Sequence, residues 1–292
     1  VLPALLVGSF ISFADTKDKR EINDKAVTEE ICPCEMEGMD LEEAYNRSMA
    51  NAGVSQQVSK ETPKYLNPNI PIEERIDDLL PRLTLEEKVI QLSDSWGSKG
   101  IARLKIPAML KTEGLHGQSY ATGSTIFPHG INMGSTFDTE LIQEVGKATA
   151  IEAKAANLRV SWSPVLDVAR DARWGRVEET YGEDPYLVGR IGVAWIKGFQ
   201  GEHMFACPKH FAGHGQPVGG RDSHDYGLSD RVMRNIHLAP FRDVIKEANA
   251  FGVMAAYGLW NGVPDNGSKE LLQKILREEW GFEGAVVTDW GD

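Results

Sequence analysis

The chain has 292 residues, 41% of them hydrophobic and 25% charged, a composition that suits a large packed core. Its formal net charge of −12 argues against nucleic acid as a partner, because phosphates require a basic footprint. Three cysteines do not make a disulfide framework.

Val1 to Ala14 reads VLPALLVGSFISFA. It is shorter than the roughly 20 residues of a membrane span, so no membrane-spanning segment is expected. It resembles the apolar core of an export signal with a small-residue cleavage site at Ser12-Phe13-Ala14, so a secreted or periplasmic location is the expectation. Residues 15–65 are polar, lack a sustained apolar period and read as an extension or linker. Cys32 and Cys34 flank a single residue, and no Cys or His pair at metal-binding spacing follows them. Pro63, Pro68 and Pro71 punctuate the entry to a folded domain over 66–292.

Within that domain Ile76, Leu79, Leu80 and Leu83, then Val89, Ile90 and Leu92, recur at helical spacing with a break near Pro81. Asp138 reads as the N-cap of a helix reaching about Asn157, with Leu141, Ile142, Val145, Ala148 and Ile151 on one face. A second long helix starts at Asp184, with Pro185 in the first helical position. Another follows Ser229 and must kink or break at Pro240. A last one runs from Ser268 to Trp280 and stops at Gly281. Between the helices lie apolar runs of strand character: Ile106 to Leu110, Val160 to Leu166, Met204 to Pro208, Val253 to Tyr257, and Ala285 to Thr288. Cys207 falls in one of them and reads as a buried, inert thiol. Apolar strands alternating with helices imply an α/β fold around a parallel sheet buried on both faces. A barrel and an open doubly wound sheet both fit this pattern.

The residues at the strand ends favour the barrel. Glu113 follows the first run. Asp167, Arg170, Asp171, Arg173 and Arg176 follow the second, and Lys209 and His210 end the third. Tyr257 ends the fourth, and Asp289-Trp290 the fifth. In a parallel barrel all these positions converge on one mouth, where active sites are built. No glycine-rich phosphate cradle is present, so nucleotide chemistry is unsupported. His210, His214 and His224 could suggest a metal, but Lys209 opposes a cation and no His-Glu-x-x-His helix exists; neither a metal nor a cofactor is expected. Carboxylates, an Arg, a Lys-His pair and a Trp at one mouth suit sugars, which offer apolar faces to aromatic rings and hydroxyls to charged groups. Glycoside hydrolysis needs two carboxyl groups flanking the scissile bond. The residues alone do not say which carboxylate attacks.

From about Tyr65 to Asp292 the chain resembles glycoside hydrolase family 3. The motifs that carry the likeness, in order, are IEERIDDLLPRLTLEEKVIQL, TEGLHG, SPVLDVARDARWGRVEETYGEDPYLVG, KHFAGHG and GFEGAVVTDWGD. The resemblance implies a TIM-type (β/α)8 barrel, truncated here at its C-terminal side, and a retaining, exo-acting β-glycosidase. It implies Asp289 as nucleophile and Trp290 as part of the sugar platform. It implies Lys209, His210 and Arg176 as hydroxyl-binding groups, Glu113 as the carboxylate at the non-reducing end, and Tyr257 as a neighbour of the nucleophile. Trp174, Glu179, Glu183 and Asp184 are expected to brace their loop. The family's usual acid/base belongs to a C-terminal α/β domain, which becomes an expected partner of this domain; the other expected partner is a β-linked oligosaccharide.

Among activities, β-glucosidase ranks first and β-xylosidase second. The resemblance also leaves open a single-domain β-N-acetylglucosaminidase, a branch of the family that places an Asp-Ser-His acid/base on the loop after the Lys-His strand, where Asp222-Ser223-His224 occurs here. A non-catalytic sugar-binding barrel is the remaining alternative, and it differs from an enzyme in binding without turnover.

Overall fold

The computed structural model describes residues 62–93, 97–119 and 123–291. The apolar start, most of the polar extension, Cys32 and Cys34 lie outside the described residues. The described chain forms two compact units. One holds the described residues up to Arg82 together with Gly100–Pro107; the other holds Leu83–Lys99 and the chain from Ala108 onward.

In the smaller unit, helix α1 (Ile72–Leu79) ends in a 3-10 turn at Leu80–Arg82. Pro81 sits in this turn, as the break in the apolar pattern requires. Tyr65 ties the unit together: its hydroxyl donates to the Leu104 carbonyl (3.0 Å), and its carbonyl accepts from Arg75 (3.0 Å).

The larger unit begins with α2 (Leu85–Ser93), started by a reciprocal capping box. The Glu87 amide donates to Thr84 Oγ1 (3.2 Å), and the Thr84 amide donates to Glu87 Oε2 (2.9 Å). Strands β1 (Gly97–Ser98), β2 (Met109–Thr112), β3 (Leu158–Ser161) and β4 (Phe205–Ala206) form one sheet in that order. β1 is antiparallel to β2, whereas β2, β3 and β4 are parallel. β5 (Gly252–Met254) and β8 (Ala285–Val287) form a parallel pair. Parallel bridges between Val165 and Lys209 and between Phe211 and Ala255 continue the array beyond the regular strands. β6 (Leu259–Trp260) and β7 (Val263–Pro264) make a hairpin. Its turn, Asn261-Gly262, has both φ values positive (54° and 76°), which Asn-Gly adopts readily.

The crossovers are helical, as parallel pairing requires. Between β2 and β3 lie α3 (Gly130–Gly134) and α4 (Thr139–Ala155), and between β3 and β4 lies α5 (Pro185–Gly201). Asp138 caps α4 by accepting from the Leu141 amide (2.9 Å), and Asp184 caps α5 by accepting from Leu187 (2.8 Å); both starts agree with the sequence. The helix after Ser229 is broken as expected. Asp230–Val232 runs into a π-helical turn, Met233–His237, and α6 (Ala239–Ala248) then carries Pro240 in its first turn. α7 (Lys269–Glu279) is capped by Ser268 and wound with π-helical hydrogen bonds; Gly281, with φ +67°, follows its end.

The regular strands are shorter than the apolar runs and shifted in their bounds, Leu158–Ser161 against Val160 to Leu166 and Gly252–Met254 against Val253 to Tyr257, and two further details differ from the sequence reading. The first parallel strand is Met109–Thr112 rather than Ile106 to Leu110, because Ile106 is taken up in a bridge to Ile101. On α4, Leu141 and Ile151 are exposed, and the buried face is Ile142, Val145, Gly146, Thr149, Ala150 and Ala153. Small residues turn that face inward. A Cβ on Gly146 would come within 2.4 Å of the Trp195 carbonyl, and one on Gly198 within 2.0 Å of the Gln143 carbonyl. α4 and α5 therefore approach backbone to backbone, and neither glycine tolerates alanine without the helices moving apart.

Alternate strand residues enter two different apolar clusters. Ala206, Val253 and Val286 pack with the helices. Val160, Phe205, Met254 and Ala285, with Met109 and Val287, pack with one another across the opposite face. Cys207 belongs to this second cluster, where burial pushes its thiol pKa up. Among the described residues no ladder joins β8 back to β1 or β2.

Candidate active site

The parallel array sends every strand out at the same end, and the chemistry-bearing residues follow those ends. Glu113 comes directly after β2, Asp167 after the extension of β3, Lys209 and His210 after β4, Tyr257 after β5, and Asp289 after β8. All of the predicted site residues lie at this end, and most are in direct contact.

Glu113 and Lys209 form an ion pair, Oε2 to Nζ 2.8 Å, with Lys209 almost wholly buried and Glu113 half-buried. The backbone under Glu113 is fixed from below: its carbonyl accepts from Ser163 Oγ (2.7 Å) and Ser161 Oγ (3.3 Å). Gly114 makes this possible, because a Cβ there would lie 2.1 Å from Ser161 Oγ.

Arg176 is the hub of the site. Its Nε and Nη2 donate to the two oxygens of Glu179 (2.8 and 2.9 Å), a fork-on-fork pair that fixes the guanidinium plane. Nη2 also donates to His210 Nε2 (3.1 Å), and Nη1 lies 3.3 Å from His214 Nε2. Burial opposes the charge of Arg176, but Glu179, Asp167 and Asp222 outweigh it and hold the guanidinium above its ordinary pKa. The bidentate grip of Glu179 gives its expected bracing role a geometry.

His210 is buried and sits between Asp167 and Asp289. Its Nδ1 lies 2.7 Å from Asp167 Oδ2, and its Nε2 is 3.4 Å from Asp289 Oδ2. Burial, reinforced by His214, Arg176 and Lys209, pulls its pKa well below the ordinary imidazole value, so the ring is neutral. Asp289 is itself buried, at 7% exposure, and its Oδ1 accepts from the Trp290 amide (2.8 Å). Tyr257 donates its hydroxyl proton to the Trp290 carbonyl (2.7 Å), which fixes the chain just beyond Asp289. The Trp290 ring is half exposed.

The loop after His210 adds residues whose contacts sequence reasoning did not supply. Asp222 Oδ1 accepts from Trp174 Nε1 (2.7 Å) and lies 3.0 Å from His214 Nε2. The His214 contact, with Trp174 and Arg176, draws the Asp222 carboxyl well below its usual pKa. His224 is exposed, and its Nδ1 accepts from the Asp225 amide (2.7 Å). The Asp222-Ser223-His224 triplet is thus divided, with its Asp serving Trp174 and His214 while its His lies against the loop's own backbone. Among the described residues no three His, Cys, Asp or Glu side chains are grouped to hold a metal. No described helix is long and apolar enough to cross a membrane.

Comparison with known proteins agrees with this geometry. The model of the glycosyl hydrolase family 3 N-terminal domain matches residues 84–292. A beta-xylosidase of Formosa agariphila is 39% identical over 239 residues, covering 77% of this chain and 33% of that protein. A periplasmic beta-glucosidase of Salmonella typhimurium is 32% identical over 235 residues, 77% of this chain and 30% of that protein. Among solved structures, beta-glucosidase 3B of Thermotoga neapolitana, in complex with α-D-glucose, superimposes with a TM-score of 0.67 at 30% identity, over 74% of this chain and 34% of that one. The chain spans about a third of the length of the curated relatives it matches. With a family model covering most of the chain and the motif residues gathered at one end of the sheet, the chain belongs to glycosyl hydrolase family 3.

Proposed function

We propose that the intact protein is a retaining, exo-acting β-glycosidase, with β-glucosidase the first reading and β-xylosidase the second. The observation that carries it is Asp289, a buried carboxylate at a strand end with one oxygen held by a backbone amide and the other directed toward His210. In this reading Asp289 Oδ2 attacks the anomeric carbon, the glycosidic oxygen leaves, and water then releases the sugar with net retention. Lys209, Glu113, His210 and Arg176 bind hydroxyls, and Trp290 carries the apolar face of the ring. We read the strand array as part of a TIM-type barrel, supported by the apolar cluster built from one residue or more of each parallel strand on the face away from the helices.

Protonation of the leaving oxygen is assigned to a C-terminal α/β domain of the intact protein. The carboxylates around Asp289 are otherwise engaged: Glu113 with Lys209, Glu179 with Arg176, Asp222 with Trp174 and His214. Asp167 is raised to about 6 by burial, a value that suits a general acid, but it is enclosed beneath His210 and has no route to substrate. We also propose export, from the apolar run Val1 to Ala14 and from the periplasmic relative.

The test is proton NMR of the intact enzyme acting on aryl β-glucoside and aryl β-xyloside. The β-anomer of the free sugar should appear first and mutarotate later. First appearance of the α-anomer, or binding without turnover, contradicts the reading. Glu113 bears on the choice of sugar. Glutamate is one methylene longer than aspartate, and the extra carbon crowds the space where a hexose keeps its CH2OH. One misfitting methylene is worth about 1–3 kcal/mol, so Glu113→Asp should shift the kcat/KM ratio toward the glucoside by about 10-fold; an unchanged ratio removes the argument.

A further inference from the structure

We propose that Asp167 is a positioning residue that holds His210 in its Nδ1–H tautomer and so presents a lone pair, not a proton, to Arg176 and Asp289. The inference rests on the reading of Asp289 as nucleophile. In the sequence Asp167 is one of several polar residues after the second strand run, and only its contacts in the fold give it a role.

Asp167 and His210 emerge from neighbouring parallel strands, joined just before them by the Val165–Lys209 bridge and by the Leu166 amide donating to the Lys209 carbonyl (2.6 Å). Both side chains are 1% exposed. Asp167 Oδ2 meets the same residue twice: it lies 2.7 Å from His210 Nδ1 and accepts from the His210 backbone amide (3.3 Å). Its other oxygen has no hydrogen-bond partner among the described residues. With its pKa at about 6, Asp167 is ionised at neutral pH and above; an ionised carboxylate only accepts, so there the ring proton belongs on Nδ1.

The opposite ring nitrogen then has a lone pair, and its surroundings require one. Arg176 Nη2, 3.1 Å away, can only donate. A proton on Nε2 would face that N–H and would also point at Asp289 Oδ2, 3.4 Å distant. Donating there would draw electron density from the attacking oxygen. Placing a second proton on the ring is opposed by burial and by His214, Arg176 and Lys209.

His214 is the internal contrast. It touches the same guanidinium, at 3.3 Å, and a carboxylate, Asp222, at 3.0 Å, but both contacts fall on Nε2. Its Nδ1 is buried without a partner among the described residues. The two histidines flank one arginine, and only the one nearer the nucleophile has a carboxylate fixing its far nitrogen.

The test uses the intact enzyme with histidine labelled by nitrogen-15, its Asp167→Ala and Asp167→Asn variants, and steady-state kinetics on an aryl β-glycoside. The wild-type His210 ring should show the shifts of an Nδ1–H tautomer. Asp167→Ala removes the acceptor, so the Nε2–H tautomer should appear, and kcat should fall about 10- to 100-fold, the scale on which second partners of site histidines act, with KM changed less. Asp167→Asn keeps a carbonyl facing Nδ1, so it should preserve the tautomer and recover most of the lost kcat. An Nε2–H tautomer in the wild type overturns the proposal, even if neither variant folds. So does an unchanged tautomer in Asp167→Ala, or a switched tautomer with wild-type kcat. Because the tautomer is read without turnover, an error in assigning the nucleophile is distinguishable from an error here.

Discussion

Asp289→Ala is expected to lower turnover of the intact enzyme by about 10⁴- to 10⁶-fold, the scale on which loss of a catalytic nucleophile acts, while substrate binding and melting temperature stay near wild type. The selectivity of this effect comes from the contacts. Lys209 and Arg176 have their own carboxylate partners, Glu113 and Glu179, so removing Asp289 leaves neither cation unpaired. Lys209, Arg176 and His210 remain in place, and on the proposed assignment only the attacking oxygen is lost. Added azide should then rescue the alanine variant on an activated β-glycoside. Azide enters the space vacated by the carboxylate and attacks the same face, so the product should be the α-glycosyl azide. A variant with substantial unaided turnover, or a β-glycosyl azide, would place the nucleophile elsewhere. Calorimetry of the same variant separates lost chemistry from lost folding.

Arg176→Ala should have the second largest effect, lowering kcat/KM by about 10²- to 10³-fold, the scale on which removal of a hydrogen-bonding group placed against developing charge acts. Here one side chain supports three others. Without it Glu179 loses both its donors, His210 Nε2 loses the hydrogen bond that uses its lone pair, and His214 loses a neighbour at 3.3 Å. Arg176→Lys should not restore the activity, because an ammonium cannot meet both Glu179 oxygens in one plane while also reaching His210. Glu179→Gln keeps Arg176 but loosens its fork, so its loss should be smaller than that of Arg176→Ala. Steady-state kinetics of the three variants decides this. Equal losses for lysine and alanine with a milder glutamine variant support the hub; near-wild-type activity of Arg176→Lys would show that charge alone is needed.

The residues gathered at the strand ends were legible in the sequence because they follow apolar runs. Glu113, Lys209, His210, Tyr257 and Asp289 each end or follow a strand-like segment, and a parallel sheet sends such positions to one end. The residues that hold them in place were harder to read, for a physical reason. Asp167 meets His210 across 43 positions, and Trp174 meets Asp222 across 48. Such contacts arise when adjacent strands align, and linear spacing does not encode that register. Asp222 shows the hazard: within its triplet it reads as a catalytic group, and in the fold it accepts from Trp174 and adjoins His214.

The helices were legible where a cap announced them, as at Asp138, Asp184 and Ser268. Which face they bury was less so. Apolar spacing on α4 gathers Leu141, Ile142, Val145, Ala148 and Ile151 on one face, but close approach to α5 is set by Gly146 and Gly198. The buried face is therefore rotated to keep Ile142 and Val145 with Gly146, Thr149, Ala150 and Ala153, and Leu141 and Ile151 are exposed. The β6–β7 hairpin carries a readable turn signal in Asn261-Gly262, but its strands, two residues each, are too short to show an apolar alternation. β1 is equally short, and nothing in its composition marks it.

The most direct test of Asp289 is covalent. A 2-deoxy-2-fluoro glycoside with an activated leaving group slows both steps of a retaining reaction, but breakdown of the glycosyl-enzyme the more, so the intermediate accumulates. Incubated with the intact enzyme, digested and sequenced by mass spectrometry, it should leave a fluorosugar on the Asp289 carboxylate, with inactivation that a competing sugar slows. A label on any other residue, or inactivation that never occurs while ordinary substrate is turned over, would contradict the assignment of Asp289 as the nucleophile.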